Sequence, residues 1–197
     1  MATTTLERRP SEARQRLLET AARIFYRDGI HAVGVDRVIA EAGVTRATFY
    51  RHFPGKEDLV LAYLELEDSR LRGFFEQVAS TGLSGRDLAA AIIDGIADDV
   101  SLNHTRGCPF INASAEYPDA ASPVRRLVSE HRGWFRSTLT SALEAADLDG
   151  AGRDSAERAG ALVLLRDAAL VGGYLDGPDT MRGTFIRTAR AAAGLDS

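Results

Sequence analysis

Apolar residues along this 197-residue chain recur at three- and four-residue steps, and strand-type alternation is nowhere sustained. The pattern predicts an all-α protein. A first helix is expected over about Ser11 to Asp28, with Leu17, Ala21, Ile24 and Phe25 on one face and arginines on the other. Ser11 can cap its start, and Gly29 can end it in a left-handed conformation. A short helix follows from Val35 to Ala42, stopped by Gly43. Thr45 then caps a third that runs to about Phe53, where Pro54-Gly55 breaks the chain. From Lys56 a long helix carries Leu59, Tyr63, Leu66, Phe74 and Val78. Beyond a break at Gly82 to Gly85, helices are expected near Arg86 to Leu102, Phe110 to Tyr117, Val124 to Ala146, Asp154 to Tyr174 and Pro178 to Ala193. Asn103 to Pro109 reads as irregular and Pro118 to Pro123 as a loop. Residues 1–10, polar and Thr-rich, are expected to form a disordered tail.

Charge divides this string of helices unevenly. The chain carries a net −4, but residues 1–56 hold ten basic against six acidic side chains, while residues 57–197 carry a net −8. A basic head on an acidic body suits a protein whose first part meets a polyanion. All but one of the 24 basic residues are arginine, Lys56 being the exception. No apolar run approaches the roughly 20 residues needed to span a bilayer, and no leader pattern opens the chain. The single Cys108 cannot form an intrachain disulfide, so a reducing cytoplasm is the expected location.

The chemistry concentrates between Val35 and Phe53. Val35, Val38 and Ile39 give the first short helix an apolar face. Gly43 permits a sharp turn, Val44 fills the angle, and Phe49 and Phe53 pin the second helix to the core. This is the layout of a helix-turn-helix, whose second helix can lie in a major groove. Its outer face presents Arg46, Ala47, Thr48, Tyr50, Arg51 and His52, donors and small residues with no carboxylate among them. Arginine can bond guanine edges, and Thr or Tyr hydroxyls can bond phosphates. Thr45 adds a further hydroxyl where the helix begins.

The run Ile39-Ala40-Glu41-Ala42-Gly43-Val44-Thr45-Arg46-Ala47-Thr48-Phe49-Tyr50-Arg51-His52-Phe53, followed by Gly55-Lys56-Glu57-Asp58-Leu59, resembles the DNA-binding signature of the tetracycline-repressor (TetR) family. The likeness extends over about Arg14 to Leu59, including Ala22-Arg23-Ile24-Phe25 and Gly29. Elsewhere it rests on helix number and length and on Gly107-Cys108-Pro109, a segment found in one branch of the family. The resemblance implies nine helices: a helix-turn-helix domain over 11–55, and a ligand-binding and dimerising body over 56–197. Carried over by position, it implies that Arg46, Ala47, Thr48 and Arg51 face bases, while Thr45, Tyr50, His52 and Lys56 meet phosphates. Family members often open the first short helix with Thr or Ser as a phosphate contact. Here Val33-Gly34 stands in that place, and Arg37 is the candidate replacement.

In the body, the Ala-, Leu- and Gly-rich helix with Leu162, Leu165, Ala169, Gly172 and Gly173 is a candidate dimer element, as is the last helix with Phe185, Ile186 and Ala189. Burial inside a monomer is the alternative for both. Dimerisation also follows from reading length, since two recognition helices about 34 Å apart read a palindrome. Phe74, Ile92, Ile96, Cys108, Phe110, Asn112, Tyr117, His131, Trp134 and Phe135 combine apolar walls with sparse polar groups, which describes either a small-molecule pocket or a plain core.

The resulting expectation is a repressor that binds operator DNA as a homodimer and is released by a small apolar or aromatic ligand, with no cofactor and no metal. A redox-responsive regulator acting through Cys108 is one alternative, a Cys-dependent enzyme another. The enzyme lacks support: no phosphate-cradling loop, metal-ligand cluster or nucleophile motif is present, and the four histidines are scattered.

Overall fold

The computed structural model describes residues 11–146 and 154–195; the expected tail over residues 1–10 lies outside them. Among the described residues the chain is all-helical, with nine α-helices: α1 (Glu12–Asp28), α2 (Val35–Ala42), α3 (Arg46–His52), α4 (Lys56–Ser80), α5 (Gly85–Asp98), α6 (Pro109–Glu116), α7 (Pro123–Ala145), α8 (Ser155–Asp176) and α9 (Pro178–Ala193). They form two compact units, one up to Tyr63 and one from Leu64 onward.

In the first unit the helix ends follow local chemistry. The Ser11 hydroxyl accepts the Arg14 backbone N–H at 3.2 Å and fixes the start of α1. Gly29 closes that helix with φ 92° and ψ 148°. The positive φ was expected; the extended ψ means the chain leaves α1 without the expected left-handed turn. Gly43 does take the left-handed conformation, at φ 63° and ψ 40°. Its N–H bonds Ala40 O at 3.3 Å and the next N–H, of Val44, bonds Ile39 O at 3.2 Å, the paired closure of a Schellman turn. Leu17, Ile24, Phe25, Ile30, Val33, Val38, Phe49, Phe53, Leu59 and Tyr63 are buried together. Ring pairs Phe25–Tyr63 and Phe49–Phe53, each 6.0 Å between centroids, hold α1, α3 and the start of α4 around that core.

In the second unit α8 packs against α7 and α9, and α5 against α9. Ile93, Ile96, Ala97, Leu139, Leu143, Leu162, Leu170, Phe185 and Ala189 fill the interior. Asp94 and Asp98 of α5 accept hydrogen bonds from Arg190 and Arg182 of α9, at 3.0 and 2.6 Å respectively. Gly95 admits the α4 side chain of Phe74, whose ring occupies the space a Cβ would take. The helix expected to run on to Leu102 stops at Asp98 and continues as a π-helical turn over Asp99–Asn103, closed by His104 N–H to Asp99 O at 3.2 Å.

The residues expected at a dimer interface divide by burial. Leu162, Ala169, Gly173, Phe185 and Ala189 are buried within the protomer, while Leu165, Gly172 and Ile186 are half-buried. Among the apolar residues that α8 leaves exposed are Leu164, Ala168, Val171, Tyr174 and Leu175.

Candidate nucleic-acid interface

The recognition segment is short, and its first turn is fixed by its own side chains. Thr45, extended at φ −85° and ψ 157°, caps α3 by accepting the Thr48 backbone N–H at 3.1 Å. Its hydroxyl also lies 2.9 Å from that of Thr48. Phe49 is fully buried and Phe53 nearly so, which turns the opposite side of α3 to solvent. Arg46, Ala47, Tyr50 and Arg51 are exposed there, with Thr48 and His52 partly so; Lys56, at the start of α4, is half-exposed. Tyr50 sets its ring edge-on to Phe49 at 5.1 Å, which braces a side chain that remains about half exposed. The residues expected to meet DNA on α3 therefore share one solvent face.

Arg46 and His52, and Arg37 on α2, are engaged with other helices or caps. Arg46 is ion-paired with Asp36 of α2, so a carboxylate stands beside a face that is carboxylate-free within α3 itself. His52 Nε2 lies 2.9 Å from the Ser11 hydroxyl. Arg37 donates to Asp28 at 2.6 Å and to Glu41 at 2.9 Å. Asp28 also takes a bidentate pair from Arg27 at 2.7 and 2.8 Å, and Glu41 accepts from Arg23 at 2.9 Å. The hydrogen bond from Arg27, reinforced by Arg37, holds the Asp28 carboxyl well below the usual carboxylate range. Arg23 and Arg37 do the same for Glu41. In the free protein Arg37 thus ties α1 to α2. The sequence spacing missed Arg46–Asp36, Arg37–Asp28 and Arg23–Glu41 because the partners come from different helices; Arg27–Asp28 and Arg37–Glu41 are local in sequence.

In the second unit, four residues expected at the ligand site form one cluster. Phe110 stacks on His131 at 3.6 Å and 8°, and His131 neighbours Trp134 and Phe135. His131 Nδ1 lies 2.7 Å from Asp68 Oδ1. Asp68 also accepts from Arg72 at 2.6 Å, and the Arg72 guanidinium lies 4.2 Å over the Trp134 ring. Burial pushes the His131 imidazole down, outweighing Asp68, so the ring is neutral and donates to the carboxylate. Phe75 sets its ring edge-on to Trp134 and Phe135, while Phe74 turns to Gly95. Ile92, Ile96 and Cys108 are buried, and Tyr117 is half-buried. Asn112 donates to Arg106 O at 3.2 Å. Elsewhere in the unit, His104 lies 3.1 Å from Asp99 and 3.8 Å from Glu67. Burial opposes its charge, but the two carboxylates hold its pKa up at about 9. Among the described residues no cluster of His, Cys, Asp or Glu could hold a metal ion, and no helix is long and apolar enough to cross a membrane.

A basic, glycine-turned helix pair on a small aromatic core, followed by a larger helical unit, defines a helix-turn-helix transcriptional regulator. The family described as "Bacterial regulatory proteins, tetR family" matches residues 17–63, and "Tetracyclin repressor-like, C-terminal domain" matches residues 86–188. The chain belongs to the TetR family and is a DNA-binding transcriptional regulator, not an enzyme. It is 28% identical over 169 residues to the HTH-type transcriptional repressor KstR2 of Rhodococcus jostii, covering 82% of this chain and 78% of that one. It is 32% identical over 116 residues to the HTH-type transcriptional activator FasR of Mycolicibacterium smegmatis, covering 58% and 52%. Among solved structures, SCO4454, a TetR-family transcriptional regulator from Streptomyces coelicolor, is 44% identical with a TM-score of 0.85, covering 93% of this chain and 95% of that one. The reduced form of NemR from E. coli shares the fold at TM-score 0.77 and 20% identity, covering 92% and 97%.

Proposed function

We propose that this regulator is a cytoplasmic repressor that binds a palindromic operator as a homodimer and lets go when a small ligand enters the second unit. The observation that carries the DNA half is the single solvent face of α3; on this reading Arg46, Ala47, Thr48 and Arg51 meet bases, while Thr45, Tyr50, His52 and, from α4, Lys56 meet phosphates. Arg37 is engaged with Asp28 and Glu41 in the free protein, and a phosphate contact from it would require release of one of them. The name of the Rhodococcus relative supports repression, and that relative spans more of the chain than the activator does.

Leu164, Ala168, Val171 and Leu175, at steps of four, three and four residues on α8, support the dimer. Leu164 and Leu175 are 68% and 71% exposed, which an isolated helix face in water does not favour and a second copy would cover. The buried members of the expected set, such as Leu162 and Ala169, stiffen that face from beneath. For release, α4 carries Leu59, Val60 and Tyr63 in the first core and Asp68, Arg72 and Phe75 at the aromatic cluster. A ligand that favours a conformation of this helix with lower DNA affinity would lower operator occupancy by its preference for that state.

Selection of bound DNA fragments by the purified protein, at stated salt, tests the reading. The expected result is a short palindrome bound by a dimer, with Leu164→Glu/Leu175→Glu giving monomers by light scattering that bind it at least tenfold more weakly. A wild-type protein that stays monomeric and retains no duplex at low salt would overturn it.

A further inference from the structure

Arg166 of α8 is the most deeply placed cation of the second unit for which the surroundings do not account. It is 4% exposed, yet its Nε has no hydrogen-bond partner among the described residues. Facing it is Asp99, whose Oδ2 is likewise buried and unbonded. The two come only to 3.7 Å, Nη2 to Oδ2, whereas buried arginine–carboxylate pairs ordinarily close to about 2.7–2.9 Å. Both partners are held back. The Arg166 guanidinium rests 5.0 Å over the Phe135 ring. Asp99 is the first residue of the π-helical turn, and its Oδ1 is drawn to His104 at 3.1 Å and Asn103 at 3.3 Å. The guanidinium thus carries a buried donor without an acceptor, and Asp99, across from its Nη2, a buried acceptor without a donor, an arrangement that a third group can complete.

The surrounding charges say what that group is. Arg166 and His104 are cations; Asp99 and Glu67 are anions. An incoming carboxylate would meet Asp99, and an ammonium would meet Arg166. A neutral hydroxyl can satisfy both, accepting from Arg166 Nε–H through its oxygen and donating its proton to Asp99 Oδ2. The neighbouring surface is aromatic: Phe135 under Arg166, then Phe75, Trp134 and the Phe110–His131 stack.

We propose that the second unit binds a neutral, hydroxyl-bearing aromatic molecule, a phenol rather than an aryl carboxylate or plain hydrocarbon, with its hydroxyl bridging Arg166 and Asp99. This deepens the ligand reading given above, and it is tested by direct binding without DNA, so that its failure and that of ligand-driven release are separable.

Calorimetric titration of the full chain at neutral pH with 2-naphthol, phenol, naphthalene and 2-naphthoate supplies the test. The expected order places 2-naphthol about tenfold to a hundredfold tighter than naphthalene or 2-naphthoate, the margin of a hydrogen bond made to charged groups. Asp99→Asn and Arg166→Met should remove that margin and leave naphthalene binding where it was. The comparison among probes on the unaltered protein stands even if Arg166→Met fails to fold. Equal or tighter binding of 2-naphthoate would overturn the proposal. So would equal binding of naphthalene, or no binding of either phenol with a lone water found between Arg166 and Asp99. If 2-naphthol binds in this pattern but leaves an operator complex intact, the site stands and the release reading falls.

Discussion

Replacing Asp36 with asparagine should tighten DNA binding, although it removes an ion pair. In the free protein Asp36 holds Arg46, the first residue of α3. Both side chains are open to solvent, at 75% and 63% exposure, so the pair is worth at most about 1 kcal/mol. Arg46 must leave it to reach a base edge, and removing the competitor returns up to about fivefold in affinity at that limit. Asp36 also places a negative charge near the phosphates. At roughly 10 Å in water such a charge repels by about 0.4 kcal/mol, fading as salt shortens the Debye length. Together these give roughly three- to tenfold tighter binding at low salt, shrinking toward twofold or threefold at about physiological ionic strength. Fluorescence anisotropy of a labelled operator across a salt series measures this. In an Arg46→Ala background the gain should fall to the small repulsive part, as a double-mutant cycle requires. If Asp36→Asn instead binds more than threefold more weakly at every salt concentration, Asp36 aims Arg46 or itself accepts from a cytosine amino group, and the competition argument is wrong.

Gly43→Ala should destabilise the protein by about 1 kcal/mol through backbone strain alone, since nothing lies within 4 Å of the added methyl; thermal melts followed by circular dichroism would register it, and an unchanged melt would contradict the left-handed turn. Gly95→Ala should cost more, about 1–3 kcal/mol, because the methyl falls on the Phe74 ring; Phe74→Leu in the same chain should recover part of the loss. His104, its pKa raised to about 9 against about 6.5 in the unfolded chain, stabilises the folded state fully at low pH and progressively less as pH rises through 9. Urea unfolding should therefore lose about 2 kcal/mol between roughly pH 7.5 and 9.5, and His104→Gln should flatten that slope.

What the sequence made legible was whatever is written locally. Ser11, Gly43, Thr45 and Pro54 bound the first three helices within a few residues, because caps, left-handed turns and proline act on their immediate neighbours. The shared solvent face of α3 was readable for the same reason, from the buried Phe49 and Phe53 four residues apart. The partners of Arg37 and Arg46 were less accessible, since Asp28 and Asp36 reach them from neighbouring helices. The inward face of α8 was obscured by composition. Leu162 is buried and Leu164 exposed, with leucine on both sides, while Arg158 and Arg166, which charge would assign to the outside, are buried. The widened turn after α5 was hidden too, because apolar spacing does not distinguish one extra residue in a turn from an ordinary helix end.

Trimming one residue from the stretch Asp99–Asn103 would remove the widened turn, whose Val100 and Ser101 are buried. It would also swing whatever follows or precedes the cut by about 100°, so that Asp99 and its tether His104 could no longer both keep their present bearings. Arg166 would then be stranded without an acceptor opposite. The choosiness of this protein is thereby lodged in a count of peptide units as much as in side-chain identity. Screens that only exchange side chains would sample around that constraint without touching it, whereas a one-residue excision should abolish discrimination between phenol and hydrocarbon.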